Sequence, residues 1–167
     1  MIHPVRKMFQ HLTERGMGQI NFRDRDAINY ITDLLTEFVH IKNMYRVEVE
    51  SGAQLEYIWE LAQAVRAAPA SKKREYYRQL GDLTLFYLGL FPESLSHGRR
   101  LVSPSYYAAQ GARWYHIAAE MQPTSANRIV FRKLSAQFED CVHGLNWVKL
   151  YINDPFYQYM LREFDVT

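Results

Sequence analysis

The stretch LGDLTLFYLGLF, residues 80–91, decides the fold of this chain. As a helix it is apolar around almost its whole circumference, which is typical of a helix that protein surrounds on all sides. Its one charged side chain is the carboxylate of Asp82. The stretch therefore predicts a central helix over residues 71–91, with the other helices packed around it.

A Tyr-Tyr-x-x-x-Gly pattern leads into this stretch and occurs again thirty residues later, at residues 76–81 and 106–111. A glycine inside a helix costs about 1 kcal/mol relative to alanine, so both glycines indicate backbones that approach closely. We expect the two copies to be the matched halves of one helix crossing. Helical geometry places Tyr77 and Tyr107 on the glycine faces, and Tyr76 and Tyr106 about 140° away from them.

Signals for helix starts and ends divide the chain into helices joined by short connections. An apolar stripe from Phe131 to Ile152 runs on through Gly144, and strands and helices do not alternate anywhere. The sequence thus predicts an all-α fold: one irregular helical bundle of six or seven helices, forming a single domain over residues 1–167. Side chains suited to capping a helix start, some of them followed by proline, are Asp24 or Asp26, Ser71, Ser103-Pro104 and Asp154-Pro155.

The composition predicts a globular cytoplasmic protein. A chain of 167 residues, 48% hydrophobic and 23% charged, is long enough to bury a core. A net charge of +2 is too small for a typical nucleic-acid-binding domain, so we expect no nucleic-acid partner. No apolar run reaches membrane-spanning length, so we expect no membrane contact either. The lone cysteine, Cys141, allows no intrachain disulfide and suits a reducing compartment.

Two helical segments carry pairs that imitate a ferritin-like carboxylate metal site. Glu37 and His40 have Glu-x-x-His spacing, and Asp140 and His143 have the same spacing on a later helix. Helical geometry turns all four away from the apolar stripes, so we interpret them as solvated side chains and expect neither a metal nor a cofactor. Cys141 lies on an apolar stripe, where a buried and inert thiol is the usual outcome.

Asp82 is the strongest candidate for a functional residue, because its helix is otherwise apolar on every side. Arg78 lies one turn before it and can reach it along the same face. The tyrosines expected to lie nearby are Tyr77, Tyr107 and Tyr115. Two interpretations stay open: a satisfied buried carboxylate that fixes helix register, or a ligand or proton-transfer group in a pocket that the tyrosines line.

A basic loop precedes the helix that starts at Ser103-Pro104. It contains His97, Arg99 and Arg100, and two guanidinium groups near a helix N-terminus can bind an anion. The alternative is a solvated loop without a ligand. The aromatic surface at the tyrosine pairs would instead suit a small planar ligand or a partner helix, with core packing as the competing explanation.

One part of the chain resembles a group of uncharacterised bacterial helical proteins. The likeness rests on LGDLTLF at residues 80–86 and GLFPE at residues 89–93, followed by the tyrosine pair and glycine of residues 106–111. It covers about forty residues of the sequence. The resemblance implies a bacterial cytosolic setting and brings no activity, cofactor or partner with it.

These observations favour a non-catalytic binding or protein-interaction module that uses the aromatic surface at the tyrosine pairs or the basic loop. A twofold homodimer is one form that such a module can take. The competing hypothesis is a small helical enzyme centred on Asp82 and Arg78. A metal-dependent oxidase ranks below it.

Overall fold

The fold is an all-α bundle, as the sequence predicts. A computed structural model describes residues 4–45, 53–92 and 103–153, and within these ranges every regular element is a helix. The predicted helix start at Asp154-Pro155 lies outside the described residues. The helices are α1 (Pro4–Gly18), α2 (Arg25–Tyr45), α3 (Ala53–Ala67), α4 (Ala70–Leu90), α5 (Pro104–Glu120), α6 (Ser125–Ala136) and α7 (Phe138–Ile152).

Helix α4 is the centre of the bundle. Its second half is buried at every residue from Leu80 to Leu90 except Tyr87. Helices α5, α7, α3 and α2 all pack against it. This explains why the run around Asp82 is apolar on all sides: each face of the helix meets a different neighbour. None of the helices in the described ranges is both long and apolar enough to cross a membrane.

Two of the predicted helix starts are confirmed, and a third is wrong. Asp24 Oδ1 accepts a hydrogen bond from the backbone N–H of Ala27 at 2.9 Å at the start of α2. Ser103 Oγ accepts from the backbone N–H of Tyr106 at 3.3 Å, with Pro104 as the first residue of α5. Ser71 does not begin α4, because the helix starts at Ala70 after the extended residue Pro69.

The apolar stripe from Phe131 to Ile152 belongs to two helices instead of one. The backbone leaves helical geometry at Gln137, with φ −118° and ψ 32°, between the end of α6 and the start of α7. The hydrogen bonds still continue across the break, since Gln137 N–H donates to Lys133 and Cys141 N–H donates to Gln137. The periodicity of the apolar residues therefore survives a kink that the sequence does not signal.

The glycines of the two Tyr-Tyr-x-x-x-Gly copies lie at different helix contacts. A Cβ added to Gly81 of α4 would be 2.7 Å from the ring of Tyr115 on α5. A Cβ added to Gly111 of α5 would collide with the ring of Phe138, the first residue of α7. Both glycines do permit close packing, but the expected pairing of the two copies in one crossing is wrong, because each glycine receives an aromatic ring from a different helix.

Candidate functional site

Asp82 lies at the meeting point of three helices. Its Oδ1 accepts hydrogen bonds from the hydroxyl groups of Tyr30 on α2, at 2.7 Å, and Tyr115 on α5, at 2.6 Å. Its Oδ2 accepts from Nη1 of Arg78, one turn earlier on α4, at 2.7 Å. Only 8% of the Asp82 side chain is exposed. Three short hydrogen bonds thus hold a buried carboxylate, and they join α2, α4 and α5 through one residue.

Arg78 connects this carboxylate to the surface. Its Nε donates to Glu75 Oε2 at 3.0 Å, and its Nη2 forms a second hydrogen bond with Glu75 Oε1. The Arg78 side chain is 27% exposed and that of Glu75 is 50% exposed. Planar guanidinium groups suit such two-pronged contacts with a carboxylate. We call Asp82, Arg78, Glu75, Tyr30 and Tyr115 the Asp82 cluster.

Burial and charge shift the acidity of the Asp82 cluster in predictable directions. Burial raises the pKa of Asp82 to about 6, although the charge of Arg78 and the tyrosine hydroxyls pull it down. Burial and the nearby Asp82 charge raise the pKa of both Tyr30 and Tyr115, so these hydroxyls remain donors. The hydrogen bond with Arg78 lowers the pKa of Glu75.

Aromatic rings enclose the tyrosine side of the cluster. The ring of Tyr115 stacks on Phe131 of α6 with centroids 5.9 Å apart and an interplanar angle of 14°. Tyr30 meets the same Phe131 edge-on at 5.3 Å. Tyr115 is fully buried. These contacts fix both hydroxyl groups in the direction of Asp82 and surround them with apolar atoms.

Of the sequence-predicted residues that the structure describes, two bind Asp82. Arg78 and Tyr115 bind the carboxylate directly, whereas Tyr77 and Tyr107 are not among its hydrogen-bond partners in the described structure. Tyr77 is half-buried against the core and Tyr107 is 2% exposed. The basic loop residues His97, Arg99 and Arg100 lie outside the described residues.

Tyr30 is the member of the Asp82 cluster on α2 that the sequence does not identify. The apolar stripe of α2 includes Ala27, Ile31 and Leu34, all of which are buried. Tyr30 lies three residues after Ala27 and four before Leu34, so its position also shares that face. The spacing thus indicates that Tyr30 lies at the edge of the buried face of α2. It does not indicate which distant helix the tyrosine hydroxyl contacts.

The residues that imitate a metal site are dispersed. Glu37, Asp140 and His143 are exposed on the outer faces of their helices, as the helical geometry predicts. Within the described ranges no three histidine, cysteine, aspartate or glutamate side chains come together as a metal would require. Cys141 is buried as predicted, and burial raises the pKa of its thiol to about 12.

A second unusual region lies on the solvent side of α7. We call it the α7 outer face. Its exposed residues are Glu139, Asp140, His143, Trp147 and Leu150, and the half-buried Tyr151, whose hydroxyl accepts a hydrogen bond from Gln19 Nε2 at 3.0 Å, lies at its edge. Trp147 is 40% exposed and Leu150 is 60% exposed. The rings of Trp147 and Tyr151 lie 6.2 Å apart. Arg15 of α1 places its guanidinium 4.3 Å from the centre of the Tyr151 ring.

The chemistry of the two regions is therefore different. The Asp82 carboxylate already accepts hydrogen bonds from three donors, so it would have to release one of them before it could act as a base. The α7 outer face offers apolar rings and charges to another molecule. No family model matches the chain, and no curated protein or solved structure is significantly similar to it.

Proposed function

We propose that the protein is a non-catalytic interaction module of a bacterial cytosol, and that the α7 outer face binds a second copy of the chain. The observation that carries the proposal is the exposure of Trp147 and Leu150, three residues apart on one helix. The bacterial setting rests on the resemblance of the segment around Asp82. The single buried cysteine is in keeping with a reducing compartment.

The apolar part of the α7 outer face has the composition of a binding surface. Tryptophan is strongly enriched among the residues that carry the binding energy of protein interfaces. Here its ring is 6.2 Å from that of the half-buried Tyr151, and the exposed Leu150 lies three residues further along the helix. Tyr106, at 40% exposure, lies next to the buried Tyr107, so that tyrosine pair presents only one ring. The α7 outer face is accordingly the better docking surface.

The charges at its two ends make the face complementary to itself. Glu139 and Asp140 occupy the first turn of α7 and are exposed. Arg15 brings a positive charge to the other end, where it stacks on Tyr151. A surface with an acidic end, an apolar middle and a basic end fits a second copy of itself after a twofold rotation. This is the argument for a copy of the chain as the partner.

The competing function, a small helical enzyme centred on Asp82 and Arg78, is favoured by the raised pKa of Asp82, about 6. It ranks second because the carboxylate is buried and already binds three donors from its own chain. Structural networks of ion pairs and tyrosines shift pKa values in the same way as catalytic sites do. In the α7 outer face, by contrast, Trp147 is 40% exposed and Leu150 is 60% exposed.

Sedimentation equilibrium over a range of protein concentrations tests the proposal. The average mass of the wild-type protein should rise from 19.7 kDa toward twice that value as the concentration increases. The double variant W147E/L150E should weaken association by at least about 100-fold, because it places charge at the centre of the interface. The matched control is Ile129→Glu, which alters an exposed side chain on another helix, α6, and should leave association unchanged; Ile129 is 50% exposed.

A wild-type protein that stays monomeric at every concentration would overturn the proposal. It would be overturned equally if W147E/L150E associated as well as wild type, or if Ile129→Glu weakened association as much as the double variant. Circular dichroism of each variant checks that the helices are intact, so that a loss of association is attributed to the surface and not to unfolding.

A further inference from the structure

We infer that two copies pair with their α7 helices antiparallel, around a twofold axis beside Trp147, and that Asp140 of each copy lies against the partner's Arg15. The inference rests on the proposed function and adds to it the orientation of the pair and the residues that select it. It is carried by the placement of Asp140 in the first turn of α7 and of Arg15, from α1, beside Tyr151 in the last turn.

Helical geometry aligns three residues of the α7 outer face. At 100° per residue, Asp140, Trp147 and Tyr151 fall within about 40° of one another, so they form one straight stripe. With a rise of about 1.5 Å per residue, the stripe is roughly 16 Å long from Asp140 to Tyr151. His143 and Leu150 lie beside it and widen it toward solvent.

The charges along this stripe distinguish the two orientations of a helix pair. The acidic side chains lie in the first turn of α7, and Arg15 covers Tyr151 in the last turn. A parallel pair would bring acidic ends together and basic ends together. An antiparallel pair brings each acidic end against a basic end and also opposes the two helix dipoles, so electrostatics favour it.

The same arrangement sets the register. If Asp140 lies opposite position 151 of the partner, the twofold axis passes between residues 145 and 146 of each helix. The two Trp147 side chains then flank the axis, separated by roughly 5 Å along the helix direction. The result is an aromatic centre with charged residues at both ends, which is the common anatomy of a protein interface.

Complementary charge reversal tests this pairing. Asp140→Arg alone would place two like-charged pairs in each dimer, and so would Arg15→Glu alone. Each variant should therefore dimerise at least about 10-fold more weakly than wild type at low ionic strength. An equimolar mixture of the two should recover dimer, because in a mixed pair both contacts again join opposite charges. Native mass spectrometry separates the mixed dimer from the two homodimers by mass.

The control is Glu60→Arg, which reverses an exposed carboxylate on α3 and should change neither the wild-type dimer nor the mixture. Arg15→Gln removes the charge without reversing it, and it should weaken the dimer less than Arg15→Glu does. If Arg15→Glu acted only by disturbing Tyr151, mixing it with Asp140→Arg would restore nothing, and the inference would be overturned.

The outcomes separate the inference from the proposed function. A wild-type dimer that W147E/L150E abolishes, together with a mixture of reversed variants that stays monomeric, would overturn the antiparallel register and leave the α7 interface standing. A wild-type protein that is monomeric throughout would overturn both. Preferential formation of the mixed dimer over either homodimer is the expected result, and it would establish both the orientation and the paired residues.

Discussion

The Asp82 cluster and the α7 outer face both depart from the usual distribution of side chains, in opposite directions. In the first, a carboxylate is buried among aromatic rings, and in the second a tryptophan and a leucine are exposed to solvent. The carboxylate has its partners within the chain: two tyrosine hydroxyls and an arginine. On α7, Trp147 is 40% exposed and Leu150 is 60% exposed, which is why we look for their partner in another molecule.

The two regions differ in what they contribute to the folded chain. A buried polar group is costly unless it is hydrogen-bonded, so a fully bonded one is consistent with a role in holding helices together. An exposed apolar patch does not need to be satisfied for the chain to fold, and it becomes favourable only when something covers it. The two regions should therefore respond to substitution in different ways: one through folding, the other through association.

The substitution Asp82→Ala should reduce the folding stability more than any other change considered for these two regions. The substitution removes the acceptor of two buried tyrosine hydroxyls and the partner of a largely enclosed guanidinium, and it should cost about 3 to 5 kcal/mol of unfolding free energy. Urea denaturation measures this cost. The control is Asp140→Ala on the α7 outer face, an exposed carboxylate whose loss should change the unfolding free energy by less than about 0.5 kcal/mol.

Equal effects of these two substitutions would contradict the contrast between the regions. A variant Asp82→Asn that kept full stability but lost a bound ligand or an activity would favour the enzyme hypothesis over the interaction module. A group that holds three helices together cannot be removed without a large change in folding stability.

A change of pH should alter the unfolding free energy less than the substitution Asp82→Ala does. The pKa of Asp82 is about 6 in the folded protein and 3.8 in the reference state, so the folded chain binds this proton more tightly. The contribution of Asp82 to stability is therefore fully present below the lower value and is lost as pH rises through the higher one. Its slope is at most about 1.4 kcal/mol per pH unit for one proton.

Comparison with Asp82→Asn isolates this contribution, since asparagine does not titrate. Glu75 changes the unfolding free energy with pH in the opposite direction. Its hydrogen bond with Arg78 lowers its pKa, so the stability that Glu75 contributes is lost as pH falls. The difference in unfolding free energy between wild type and Asp82→Asn should shrink as pH rises from about 4 to 7. A difference that is constant over this range would show that burial does not raise the pKa of Asp82.

The sequence predicts the fold well because the fold depends on local signals. The apolar run of α4 indicates a surrounded helix, and the caps at Asp24 and Ser103 mark helix starts that the structure confirms. The kink at Gln137 is not predictable in this way, because the apolar period continues across it and neither glycine nor proline marks it. Contacts between helices, such as that of Gly111 with Phe138, also depend on distances that spacing does not encode.

The candidate site is only partly predictable for the same reason. Arg78 is one turn from Asp82, so the row along α4 reveals their contact. Tyr30 is fifty-two residues away along the chain, and its hydrogen bond exists only because α2 packs near α4. The exposure of Trp147 was equally hidden, since a tryptophan close to an apolar stripe can cover the core or face solvent depending on its neighbours.

The substitution Leu150→Gln should change the folding stability very little. Leu150 is 60% exposed, so its replacement should change the unfolding free energy by less than about 0.5 kcal/mol. Leu145, five residues earlier on α7, is fully buried, and Leu145→Ala should cost about 2 to 5 kcal/mol through the cavity that it leaves. The effect of Leu150→Gln should instead appear in association: the variant should weaken the dimer by about 10-fold through loss of apolar contact. Urea denaturation of the monomer and sedimentation equilibrium measure the two effects separately. If Leu150→Gln lowered the folding stability without weakening association, Leu150 would be a core residue and the α7 outer face would not be an interface.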